Sequence, residues 1–259
     1  MERDYDREAK DHPQHRYAYD FDYRMHGFMM RTFDPWFVAG SALELGCYHG
    51  NFTRLLCDRF AEVEVVEASG ECIAAASSAV ANRARFHHAT FEEFDAPRQF
   101  DNIFLIHTLE HLDARVEMLG RIGAWLAPGG RFFVATPNAT AASRQIAVAM
   151  GLIEHPAAIT PAEAAHGHRV TYSLHTLAAD ARSAGLAVKA RGGVCFKGLA
   201  NFQIDAALEA GIISDAYLEG CLELGKHFPE LCSSVYVVCE TPAGAPDAAA
   251  AAGVKRQAG

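Results

Sequence analysis

The sequence predicts an α/β fold, a doubly wound and mostly parallel sheet. Three observations carry that prediction. Short apolar runs alternate with amphipathic helical stretches across residues 42–137. The first run leads into "ELGCYHG", which places Gly46 and Gly50 where a strand turns into a helix. The second ends in a carboxylate, Glu67. Such alternation implies right-handed crossovers and a sheet covered on both faces, so ligands are expected beyond the carboxyl ends of its strands.

The elements follow in order. Residues 1–15 are polar and charged. Over 16–38, aromatics mix with Arg, Asp and His, and Met25, Phe28, Met29 and Phe33 recur at helical spacing, which predicts a packed helix before Pro35. Residues 42–45 form a first strand, with a helix over 51–60. "VEVVEA", 63–68, is a second strand, with a helix over 70–81. "ARFHHA", 84–89, is a third strand and "FDNIFLIHT", 100–108, a buried fourth. A helix over 113–126 stops at "PGG", and "RFFVATP", 131–137, is the fifth strand. Beyond Asn138 the alternation ends. A helical stretch and a loop lead to "AAHGHRVTYS", then to a helix in "LHTLAADARSAGL", a strand in "AVKARGG", a helix in "SDAYLEGCLELGKHF" and a closing strand, "SSVYVVCE". The chain divides into an N-terminal helical lid segment (1–38), a catalytic domain (39–241) and an Ala/Gly/Pro-rich tail (242–259) that has little to bury and is expected to be disordered.

Composition narrows the function. The chain has 259 residues, half of them hydrophobic, enough for one α/β domain with a large core. A net charge of −9 without a Lys/Arg block argues against nucleic acid, whose binding requires phosphate neutralisation. No apolar run approaches the ~18 residues of a membrane span, and the charged N-terminus does not resemble a signal peptide. A soluble cytoplasmic protein without a membrane partner is expected, and the oligomeric state is not legible. The seven cysteines form no C-x-x-C pair and sit in apolar surroundings, so reduced buried thiols are expected.

The strand ends hold the chemistry. A glycine lacks Cβ, so a ligand can sit against its backbone, although a crowded turn needs glycine equally. The pattern is not G-x-G-x-x-G, because position 48 is Tyr and the loop lacks Lys. Glu67 can accept hydrogen bonds from both hydroxyls of a ribose, or simply flank the helix at 70. Glu92 or Glu93 can meet an adenine amino group with Phe91 against its face, or form a solvated loop. Of His107, Glu110 and His111, the two histidines have metal-ligand spacing, but no third ligand is identifiable, so no metal is expected. His107 reads as a site residue and His111 as a packed one. In "HGHRVTY", 166–172, His166 and His168 suit general acid–base work, and Arg169 can clasp a carboxylate. Asn138 and Tyr172 can hydrogen-bond a substrate amine or the cofactor's amino acid end. A polar surface turn is the alternative for this run.

These residues also carry a resemblance. "ALELGCYHGNFT", "VEVVEAS", "TFEEF", "FDNIFLIHTLEHL" and "LAPGGRFFVATPN" stand in the order and spacing of class I S-adenosylmethionine-dependent methyltransferases. The resemblance covers about residues 40–138 closely and the rest loosely. "LAPGG" before a strand ending in Pro-Asn is its most specific part and is not expected of a nicotinamide dehydrogenase. It implies S-adenosyl-L-methionine as cofactor and a Rossmann-like sheet of seven strands, with "SSVYVVCE" antiparallel beside the fifth. It also implies that Glu44, Gly46 and Gly50 form the cofactor loop, Glu67 holds the ribose, Glu92 lies near adenine and His107 borders the methionyl part. Cys47, Tyr48 and His49 fill the loop where the family more often has small residues, and Tyr48 stands against the cofactor.

A sulfonium needs acceptors or aromatic faces and exclusion of water. Tyr17, Tyr19, Tyr23 and Phe28 are candidates for a lid, or for core packing. The expected reaction is methyl transfer to a small molecule, with His168, Tyr172 and Asn138 as catalytic candidates and positioning as the main source of rate. The alternative within the same fold is a cyclising enzyme that closes the cofactor's aminobutyryl chain to azetidine-2-carboxylate and releases methylthioadenosine. That chemistry requires a neutral α-amine, and Tyr17, Tyr19, Tyr23, Arg24, His107, Asn138, His168 and Tyr172 are expected near that end. A cofactor-binding fold without turnover is the remaining class.

Overall fold

The computed structural model describes residues 5–8 and 18–242. The expectations for Tyr17 and for the tail from residue 243 onward lie outside the described residues. Seven strands form one sheet: β1 Ser41–Leu45, β2 Glu62–Glu67, β3 Arg85–His88, β4 Phe100–Ile106, β5 Leu126–Pro137, β6 Ala187–Phe196 and β7 Cys232–Glu240. Their order is β3-β2-β1-β4-β5-β7-β6. The first five run parallel, and β7 lies antiparallel between β5 and β6. The expected seven-stranded sheet with its antiparallel last strand is what forms.

The described helices are α1 Tyr5–Glu8, α2 Asp20–Phe33, α3 Asn51–Arg59, α4 Gly70–Ala79, α5 Arg115–Ala124, α6 Ala142–Ala149, α7 Pro161–Ala165, α8 Leu174–Ser183, α9 Asn201–Glu209 and α10 Asp215–Gly225. They cover both faces. On one face Leu43, Leu105 and Phe132 pack with Leu119 of α5 and Leu177 of α8. On the other, Phe104 and Phe133 stack at 4.8 Å and pack with α2, α3 and α10. Helix α2 buries Phe21, Met25, Phe28, Met29 and Phe33, each contributing on the order of 1.5–3 kcal/mol. Phe28 therefore belongs to the core.

Two local departures from the sequence pattern matter for the site. Strand β4 ends at Ile106, before the expected 108, because His107 takes φ 50° and turns the chain into a short 3₁₀ turn, Leu109–His111. Helix α9 was not anticipated, since Ile204 is its one fully buried residue and the apolar period is faint. It nonetheless holds α2 in place. The Asp205 carboxylate accepts from Asp20 N and Phe21 N at 3.0 and 2.9 Å, and Asn201 Nδ2 donates to Asp22 Oδ1 at 2.7 Å.

Candidate active site

A cavity of about 440 Å³ opens at the carboxyl ends of β1, β2 and β4, between α2 and the segment around 162–168. That volume lies within the range of small-ligand sites. Its floor is the turn after β1. Gly46 has φ 81°, and a Cβ there would stand 2.8 Å from Thr108 Oγ1, so only glycine fits without displacement. Glu67 ties this turn to the next one. One carboxylate oxygen accepts from Cys47 N and the other from Ser69 N, both at 2.9 Å. Each oxygen retains acceptor capacity, and the side chain lines the cavity.

Tyr48, at φ 47°, stacks on His49 with centroids 3.8 Å apart and also lines the cavity. Gly50 is the N-cap of α3, and a Cβ there would meet Ala76 Cα of α4 at 2.7 Å. Its role is close helix packing, and it is not part of the wall. Glu44 is 2 % exposed, and its Oε2 is buried without a hydrogen-bond partner. Burial pushes its carboxyl up to about 8, with the Thr53 hydroxyl opposing and the Glu67 charge adding to the rise.

Two half-buried imidazoles stay neutral. Burial takes His26 down to about 4; its Nδ1 lies 2.8 Å from Asn51 Nδ2. Burial takes His107 down to about 3, helped by His26 and His168, and Ser234 Oγ of β7 holds its Nε2 at 2.9 Å. Phe91 and Glu92 line the end near β3. At the opposite end stand Glu110, His111, Pro137, Glu163, His166 and His168. The His111 and His168 rings meet edge to face with centroids 4.6 Å apart. Arg169 N donates to Glu110 O at 2.8 Å and fastens this loop to the 3₁₀ turn.

A family model described as a methyltransferase domain matches residues 15–190, well over half of the chain. The chain belongs to that methyltransferase family. Solved structures agree on the fold. The N-methyltransferase NodS from Bradyrhizobium japonicum WM9, in complex with S-adenosyl-L-homocysteine, is 15% identical with a TM-score of 0.54, over 87% of this chain and 90% of that one. The CcbJ methyltransferase from Streptomyces caelestis is 18% identical with a TM-score of 0.56, over 85% and 89%. The glycopeptide N-methyltransferase MtfA, complexed with S-adenosylmethionine, is 16% identical with a TM-score of 0.54, over 83% and 86%. Among curated proteins, none matches the sequence.

In this methyltransferase the cavity gathers Glu44, Gly46, Tyr48, Glu67, Glu92, His107 and His168. It does not gather Tyr172 and Asn138. Tyr172 is 2 % exposed, and its hydroxyl donates to Asp180 Oδ2 at 2.8 Å. Asn138 Nδ2 donates to Glu230 O and Cys232 O at 2.9 and 2.8 Å, and its Oδ1 accepts from Thr140 N and Oγ1 at 2.9 Å. The two residues form a β-bridge with each other, so their polar atoms hold the joint after β5. Arg169 faces outward, 3.6 Å from Asp113. Asp22 and His26, at the edge of the Met/Phe stripe of α2, are wall residues that the sequence reading did not single out. Tyr19 and Tyr23 join them there, whereas Arg24 points outward and pairs with Asp215. No helix among the described residues is long and apolar enough to cross a membrane.

Proposed function

We propose that this chain binds S-adenosylmethionine at the strand ends and transfers its methyl group to a small molecule entering between α2 and residues 162–168. The acidic lining carries this reading. Glu67, Glu92 and Glu163 line the cavity together with Asp22, Glu44 and Glu110, whose carboxyls burial pushes up to about 6, 8 and 8, and among the described residues no Lys or Arg does. A nucleotide phosphate placed there would face carboxylates, whereas a sulfonium and an ammonium suit them. The neutral state of His26 and His107 adds no opposing charge.

When bound, the cofactor supplies an electrophilic methyl on a positively charged sulfur. Glu67 is placed to accept from the ribose hydroxyls, Phe91 and Glu92 to border the adenine, and Tyr48 and His107 to border the methionyl part. Helix α2 covers the cavity and excludes water through Tyr19 and Tyr23. The acceptor's reacting atom is expected at the His111–His168 end, where His168 is the catalytic candidate. Ring closure of the aminobutyryl chain requires a neutral amine, and carboxylates favour the ammonium form. Methyl transfer is therefore the reading the geometry supports.

The test is incubation with methyl-labelled S-adenosylmethionine, alone and with pools of hydroxylated and amine acceptors, followed by mass spectrometry. S-adenosylhomocysteine with a labelled acceptor is expected. Methylthioadenosine formed without an acceptor would replace methyl transfer by cyclisation. No calorimetric binding of the cofactor would remove both.

A further inference from the structure

We infer that Glu110, His111 and His168 form a divalent metal site of the zinc class, which anchors the hydroxyl of the methyl acceptor. One ligand atom from each of the three lies within 4.8 Å of the other two. Atoms bound tetrahedrally to one ion at ~2.0–2.2 Å stand roughly 3.3–3.6 Å apart, a closure within reach of side-chain rotation. Two imidazoles and one carboxylate match the three-ligand set of catalytic zinc, which leaves a further position open. Here that position faces the cavity, because all three residues line it.

Glu110 supplies an independent observation. Its side chain is 2 % exposed, and Oε2 is buried without a hydrogen-bond partner. A buried carboxyl oxygen without a partner is costly, and a cation supplies one. The neighbouring Glu163 is different, since Arg144 pairs with it and Thr160 N donates to it. The ligand-bearing segments are already joined, because Arg169 N donates to Glu110 O beside them. The sequence pattern pointed to His107 with His111 and offered no third ligand. In the fold His107 is engaged by Ser234, and His168 takes its place from a distant loop.

The acceptor role rests on the methyl-transfer reading. A wall without Lys or Arg among the described residues has no cationic side chain to stabilise an alkoxide or phenolate, and a bound ion lowers the pKa of a coordinated hydroxyl. The hydroxyl proton leaves to solvent. The oxygen pair then forms the bond to the methyl carbon while the S–C pair returns to sulfur. The substrate class is accordingly a hydroxylated small molecule.

The test begins with protein freed of metal by a chelator and titrated with Co(II), then Zn(II). One equivalent of Co(II) is expected, with visible absorption bands that Zn(II) abolishes. His111→Ala and His168→Ala should each weaken binding by roughly 100-fold or more, and the isosteric Glu110→Gln by at least ~10-fold. Glu67→Ala should weaken S-adenosylmethionine binding by roughly 10- to 150-fold and keep the metal. Absence of stoichiometric Co(II) binding overturns the site, as does equal affinity in folded alanine variants. If those variants do not fold, unchanged affinity in Glu110→Gln overturns it. Wild-type protein that binds Co(II) and not S-adenosylmethionine leaves the site standing and overturns the methyltransferase reading instead.

Discussion

Replacing Glu67 by alanine tests the cofactor site and the architecture of its loops together. The carboxylate accepts from Cys47 N and Ser69 N at 2.9 Å each, so its loss strands two backbone donors at the mouth of the sheet. Hydrogen bonds to charged groups are worth about 1.5–3 kcal/mol when dry, and water reaches this half-buried site, so the two together are expected to cost ~2 kcal/mol of stability. In a domain of this size that lowers Tm by roughly 4–8 °C. The same carboxylate has acceptor capacity left for a ribose. Losing that bond should weaken S-adenosylmethionine binding by about 1.5–3 kcal/mol, or roughly 10- to 150-fold in Kd. Titration calorimetry reads the affinity and differential scanning calorimetry the stability. A folded variant with unchanged affinity would refute the cofactor assignment. A fallen affinity with an unchanged Tm would keep the ribose role and refute the pinning of the loops.

Three further outcomes follow from the same geometry. Tyr172→Phe removes the bond to Asp180 and should cost about 1–2 kcal/mol in urea unfolding with turnover nearly unchanged, whereas His168→Ala should cut turnover sharply; equal losses of turnover would return Tyr172 to the catalytic set. Gly50→Ala drives a Cβ to within 2.7 Å of Ala76 Cα at a φ of 81° and should destabilise by roughly 2–4 kcal/mol, and a wild-type Tm in this variant would contradict the packing argument. Glu44 has a folded pKa of about 8 against an ordinary 4.5, so the folded apoprotein holds a proton that the unfolded chain releases. Its contribution is full below about 4.5 and is lost as pH rises toward about 8, with Glu67 raising and Thr53 lowering the folded value. Glu44→Gln should flatten the stability profile across that window, and equal slopes in both proteins would show that Glu44 does not titrate there.

The half of the cavity proposed for the cofactor was legible because its residues sit at strand ends fixed by local pattern. Gly46 and Glu67 each follow a run whose alternation with helices defines the sheet, and the topology brings the ends of β1 and β2 side by side. Gly50 shows the limit of that reasoning. Its position in the motif suggested cofactor contact, but the same glycine serves the approach of α3 to α4, and sequence spacing does not separate the two demands. Asn138 and Tyr172 show a second limit. Polar side chains after β5 looked available, yet the chain turns there, and the turn consumes their hydrogen-bonding capacity.

The acceptor half was illegible for a different reason. It is assembled from α2, the turn after β4 and the loop after α7, which lie far apart in the chain and have no shared period. Glu110 and His168 meet through one backbone bond, Arg169 N to Glu110 O, and nothing in either segment announces it. Even α2 hides its role, since the Met/Phe stripe that buries it is the visible signal, while Asp22 and His26 at the edge of that stripe reach the cavity. This division has a physical consequence. The loops proposed to bind the cofactor are held by the sheet, whose registers are set by many ladder bonds, whereas the wall proposed for the acceptor depends on a few long-range contacts to β4 and β7. Substitutions that loosen the Arg169–Glu110 junction should therefore change acceptor selection before they change cofactor affinity.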